Sequence, residues 1–188
     1  KWHNKLLLYR RQRLKVFDNK HVQLHQSNAS ELPVDDESID CVVTSPPYWG
    51  LRDYGVDEQI GLESTPEKYV ENMVNVFREI KRVLKSSGTV WLNLGDSYIG
   101  TGHKGNYKVA GYKSKDLVGI PWMVAFALRA DGWYLRSDII WNKPNPMPES
   151  VKDRPTKSHE YIFLLTKSPT YYYDADAIRE TASKSGEI

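Results

Sequence analysis

The apolar positions of the chain fall into two periods that alternate along its length. Val70, Met73, Val74, Phe77, Ile80, Val83 and Leu84 recur at helical spacing, which predicts an amphipathic helix with one buried stripe. Its start is marked by Ser64, Thr65, Pro66 and Glu67, a capping-box pattern with proline in the first turn, and Ser87-Gly88 is read as its stop. A second helix is predicted over 117–130, ended by Asp131-Gly132. Between them lie period-two or β-branched segments. Residues 21–27 alternate, 39–44 (IDCVVT) form a short β-branched run read as a buried strand, and 89–94, 133–141 and 161–166 supply three more strands. Strands alternating with helices predict an α/β layer fold with a largely parallel sheet. Prolines at 144, 146, 148 and 155 exclude a regular helix or central strand over 143–155, leaving a long surface connection.

Composition narrows this picture without redirecting it. With 188 residues, 40% of them hydrophobic, the chain fits one domain with a sizeable core. There is no apolar run long enough for a membrane span, and the opening LLLYRRQRL is soon interrupted by arginines, so a cytoplasmic protein with no membrane partner is expected. Cys41 is the sole cysteine and no second thiol or paired histidine stands at ligand spacing, so neither a disulfide within the chain nor a metal site is expected. Cys41 itself, inside an apolar run, is read as a small buried core residue. A net charge of +2 is nearly neutral, so affinity for a polyanion has to come from local clusters. One is the basic segment 1–20; the other is a flexible Gly/Lys loop over 99–115, which contains Lys104. Phosphate contact and an ordinary solvated face remain open for both.

The chemistry concentrates in Thr44-Ser45-Pro46-Pro47-Tyr48-Trp49, placed where a strand ends. In open parallel sheets ligands bind beyond the carboxyl ends of the strands. Two successive prolines fix two φ angles and remove two donors, so this wall offers rigid carbonyls that only accept hydrogen bonds. Here the sequence resembles the DNA amino-methyltransferases, whose catalytic tetrapeptide stands as Ser45-Pro46-Pro47-Tyr48. TVWLNLGDSY, DLVGIPW, DGWYLRSDIIWNKPNPMPESVKDRP and SHEYIFLLTKS follow in the family's order. The resemblance implies a Rossmann-like fold, S-adenosylmethionine as methyl donor, and double-stranded DNA as substrate with the target base flipped out. It also implies that the Ser45 side chain and the Pro46 carbonyl accept from the exocyclic amine while Tyr48 stacks on the base. Serine rather than aspartate at the first position implies cytosine N4 over adenine N6, in a restriction-modification setting.

Other site residues are expected from the same resemblance or from the residues themselves. Asn28-Ala29 aligns with a segment that approaches the adenine of the cofactor, and Thr44 closes the strand beside it. Asp96 either contacts cofactor or base or caps the turn it sits in. Lys143 and Arg154 are candidate phosphate contacts, against solvated loop charge, and Trp49 and Trp141 are either core residues or walls of a base pocket. The glycine-rich Phe-x-Gly-x-Gly cofactor loop that the family places after the tetrapeptide is absent from these 188 residues. By the resemblance the cofactor strand, loop and helix are therefore missing, and a further segment or a second chain would complete a partial domain. An N6-adenine enzyme of the same fold, and a non-catalytic DNA-binding or partner subunit, are the competing readings.

Overall fold

The computed structural model describes residues 14–100 and 109–180. Strands β1 (Leu14–Asp18) and β2 (Gln23–Gln26) form an antiparallel hairpin of their own. The turn between them is held by the Asn19 side chain, which accepts from the amides of His21 and Val22. The strand expected over 21–27 is thus real but shorter, and its partner β1 lies in the basic segment, which carried no strand signal.

The core is a four-stranded sheet of order β3 (Ile39–Thr44), β4 (Leu84–Leu94), β6 (His159–Thr166), β5 (Tyr134–Asn142). β3 and β4 pair in parallel, whereas β6 runs antiparallel to both of its neighbours. The expectation of a largely parallel sheet is corrected accordingly: β3, β4 and β5 share one direction, and the last strand inserts reversed between two of them. Strand periodicity carries no information about this order, because pairing is decided by tertiary packing.

Helix α1 (Pro66–Val83) begins at Thr65, whose backbone is extended and whose hydroxyl accepts from Lys68 N–H at 3.3 Å. The cap is Thr65 rather than Ser64, with proline in the first turn as expected. Tyr69, Met73, Val76, Phe77, Ile80 and Val83 form its buried stripe, and full burial of side chains this large stabilises by about 1.5–3 kcal/mol each. The helix ends at Val83 and the chain turns directly into β4, so Ser87-Gly88 is not a helix stop. Gly88 is required for another reason: a Cβ there would lie 2.7 Å from the Leu84 side chain and 2.9 Å from the Asp40 carbonyl. Crowding between β3 and the bent start of β4 selects glycine.

Helix α2 (Ile120–Ala130) starts three residues later than the sequence suggested, after Gly119 in the left-handed region at φ 84°. The two helices share one core with the inward residues Val90, Leu92 and Leu94 of β4 and Phe163 and Leu165 of β6. Trp133 closes one end of it, edge-on to Phe77 at 6.2 Å between ring centres.

β3 is the end strand of the sheet, and its expected burial is not observed: Val43 is 80% exposed and Cys41 is exposed as well. A β-branched run signals a strand buried on both faces only when neighbours cover both. Among the described residues nothing pairs with the outer edge of β3. No helix among them is long and apolar enough to cross a membrane, and none of their His, Cys, Asp and Glu side chains form a cluster able to hold a metal.

Candidate active site

Ser45, Pro46, Pro47 and Tyr48 leave the end of β3 as a bend clamped from beneath. Buried Tyr69 of α1 donates its phenol to the Pro47 carbonyl at 2.9 Å, and burial raises the pKa of that phenol well above the ordinary tyrosine value, with Glu63 adding to the effect. Gly61, at φ 101°, presses against the same backbone, where a Cβ would stand 3.0 Å from the Tyr48 carbonyl. Only glycine reaches that approach in that conformation. Gly50 N–H then closes the loop onto the Gly61 carbonyl at 2.7 Å. Of the two rigid carbonyls the tetrapeptide offers, that of Pro47 is therefore occupied. The Pro46 carbonyl meets no donor among the described residues.

Tyr48 is half-buried, and its ring lies on Gly95 so closely that a Cβ at 95 would be 2.6 Å from Cε2. Its hydroxyl stands 2.8 Å from Asn93 Oδ1, 2.9 Å from Glu160 Oε2 and 3.2 Å from Ser45 Oγ. Burial, assisted by the neighbouring Glu160 carboxylate and opposed by the Ser45 hydrogen bond, pushes the Tyr48 phenol up to about 12. Asn93, from the end of β4, donates its amide to the Tyr161 carbonyl at 3.2 Å, which turns Oδ1 toward Tyr48 and Ser45. Glu160, near the start of β6, is ion-paired with Lys143. Burial works against its charge, but the hydrogen bonds from Lys143 and Tyr48 outweigh it and hold the carboxyl below the ordinary glutamate value.

The remaining expected site residues are distributed differently. Asp96 is a cap: its carboxylate accepts from the N–H groups of Ser97, Gly119 and Ile120 at 2.9–3.0 Å and so holds the N-terminus of α2. Trp49 is a core residue at 3% exposure, its indole N–H donating to the Glu63 carbonyl, so it forms no pocket wall. Trp141 is exposed. Asn28 is exposed and its side chain is engaged in its own turn, accepting from Ser30; Ala29 is exposed beside it, and Thr44 ends β3. Lys143 is consumed by Glu160, and Arg154 pairs with Glu149 at 2.6 Å while lying 3.9 Å above the Tyr98 ring. Lys104 lies outside the described residues. Lys157, in the same connection, is half-buried. Burial lowers its pKa against the pull of Asp96, Glu160 and Glu149.

Asn93 and Glu160 were not singled out by sequence. A polar residue ending the apolar strand TVWLNL and a carboxylate opening the apolar run HEYIFLLT were the available signals, because a buried charge at such a place needs a partner.

A mixed α/β sheet with a double-proline segment leaving the end of a strand defines the class, a Rossmann-like domain. Residues 39–188 match the DNA methylase family of N6 and N4 methyltransferases, and the chain belongs to that family. It is 56% identical over 166 residues to the type II methyltransferase M.Cfr9I of Citrobacter freundii, covering 79% of this chain and 55% of that protein. It is also 56% identical over 165 residues to M.SmaI of Serratia marcescens, covering 80% and 56%. The chain thus spans about half the length of these curated relatives. Among solved structures, the cytosine-N4-specific PvuII DNA methyltransferase shares the fold at a TM-score of 0.57 and 19% identity, over 82% of this chain and 55% of that one. A Thermus thermophilus protein complexed with S-adenosyl-L-methionine does so at 0.53 and 22%, over 77% and 52%.

Proposed function

We propose that the protein of which this chain forms part methylates the exocyclic N4 of a flipped cytosine in double-stranded DNA, using S-adenosylmethionine. The observation that carries this reading is the pairing, at the open end of β3, of the exposed Ser45 hydroxyl with the Pro46 carbonyl, which no described donor satisfies. The cytosine amine is a weak nucleophile because its lone pair is delocalised into the ring. Acceptors aimed at its two N–H bonds favour a more tetrahedral nitrogen and so stabilise the transition state more than the ground state. Ser45 and Pro46 supply those acceptors on a rigid wall, and Tyr48, backed by Gly95, offers a ring face to the flipped base.

S-adenosylmethionine supplies an electrophilic sulfonium methyl. The residues described here fit the acceptor side of such a transfer better than the donor side, since Asp96 is committed to capping α2 and Asn28 to its own turn. Thr44, at the end of β3, is the remaining candidate cofactor contact among the described residues. Lys157 is in no ion pair among the described residues, which favours it over Lys143 and Arg154 as a phosphate contact. A cytoplasmic setting in restriction-modification accords with the type II relatives.

The test is methylation by the complete protein of duplexes whose recognition site carries only one candidate base. N4-methylcytosine is the expected product; product at adenine N6 alone overturns the assignment. Ser45→Ala combined with Tyr48→Ala is expected to reduce transfer by roughly 100-fold or more, and an unchanged rate removes the wall from the mechanism.

A further inference from the structure

Three oxygens compete around the Tyr48 hydroxyl, which has a single proton to give. Asn93 Oδ1 at 2.8 Å and Glu160 Oε2 at 2.9 Å are both acceptors, and Ser45 Oγ at 3.2 Å can act either way. The Asn93 orientation is fixed by its donation to the Tyr161 carbonyl, so Oδ1 cannot turn into a donor without losing that bond. Glu160 is kept anionic by its ion pair with Lys143. A hydrogen bond to a charged acceptor is roughly twice as strong as one to a neutral acceptor, so the Tyr48 proton goes to Glu160. The Ser45 proton then has two inward acceptors left, the Tyr48 oxygen at 3.2 Å and Asn93 Oδ1 at 3.3 Å.

We propose that Glu160 is a positioning residue which, through Tyr48, sets the direction of the Ser45 hydroxyl, drawing its proton inward so that its lone pairs face the substrate amine. This rests on the methyltransferase reading above. Lys143 at the outer end holds the charge, Glu160 takes the Tyr48 proton, and Ser45 is left presenting an acceptor beside the Pro46 carbonyl. A Ser45 hydroxyl facing outward with its proton would instead oppose the amine N–H it has to polarise. Glu160 touches no reacting atom in this scheme; it fixes which of two hydrogen-bond directions the wall adopts.

In the complete protein, Glu160→Gln removes the anionic acceptor and can reverse the chain, because the new amide donates to the Tyr48 oxygen. The expected result is a fall in kcat of roughly tenfold or more with KM for DNA and for S-adenosylmethionine little changed. Glu160→Asp should recover part of the loss. In a Tyr48→Phe background Glu160→Gln should add nothing further, since the route through the phenol is already cut. A kcat equal to wild type, or a loss that adds fully to that of Tyr48→Phe, overturns the proposal. A second readout does not depend on turnover: in protein with 13C-labelled tyrosine, the resonance lost in Tyr48→Phe should titrate at lower pH in Glu160→Gln than in wild type. Wild-type protein that transfers no methyl group to DNA, while Glu160→Gln still lowers the pH at which Tyr48 titrates, sinks the methyltransferase reading and leaves the hydrogen-bond arrangement standing. An unmoved Tyr48 titration overturns the arrangement itself.

Discussion

A methyl group at position 95 would sit 2.6 Å from the ring of Tyr48, and a tethered aromatic has little room to give way. Gly95→Ala is therefore expected to tilt Tyr48 away from Glu160 and Asn93 and to lower kcat by about 10- to 100-fold while the domain stays folded; single-turnover methylation beside a far-ultraviolet circular dichroism spectrum checks both halves. Glu160 also has a signature in stability. Its folded carboxyl titrates below the unfolded value, so the folded chain binds fewer protons there and the group stabilises above the unfolded glutamate pKa of about 4.3. That contribution disappears as pH falls through the lower, folded value. The difference in urea midpoint between wild type and Glu160→Gln should accordingly narrow on acidification, and a gap that widens contradicts the assignment. At this scale the tetrapeptide was legible in the sequence, because two prolines after a β-branched run have few uses. The partners of Tyr48 were not, since Asn93 and Glu160 stand 45 and 112 residues away and meet it only through the sheet.

Each helix enters the core through a cap, and the two caps differ in legibility. Thr65 is local to α1, so the Ser/Thr-Pro-Glu pattern revealed it to within one residue. Asp96 caps α2 across 23 and 24 residues, a service that sequence left open between capping and ligand binding. Asp96→Ala leaves the amides of Gly119 and Ile120 without that acceptor and should cost about 1–2 kcal/mol, measured as a lower midpoint in chemical denaturation with α2 loosening first. Phe77 of α1 is fully buried and packs edge-on against Trp133, so Phe77→Ala should cost about 3–5 kcal/mol in the same assay. Strand existence was readable from short β-branched and apolar runs, as 39–44 and 89–94 show. Burial was not: IDCVVT carries the composition of a central strand yet lies at the end of the sheet with Val43 exposed.

For the molecule as a whole, the alternation of helices and strands announced an α/β layer fold correctly but left the strand order undetermined. Only assembled packing places β6 between β4 and β5 and reverses it. That insertion has a consequence in time. As the chain leaves the ribosome, β4 can dock on β3 early, yet its other side waits about seventy residues for a partner, until Tyr161 and its neighbours arrive to meet Leu94 and Asn93. The same late segment delivers Glu160 to Tyr48. Synthesis of this chain therefore completes the sheet and the pocket in one step, and nascent chains stalled before residue 160 should lack both the second partner of β4 and the Glu160 contact of Tyr48.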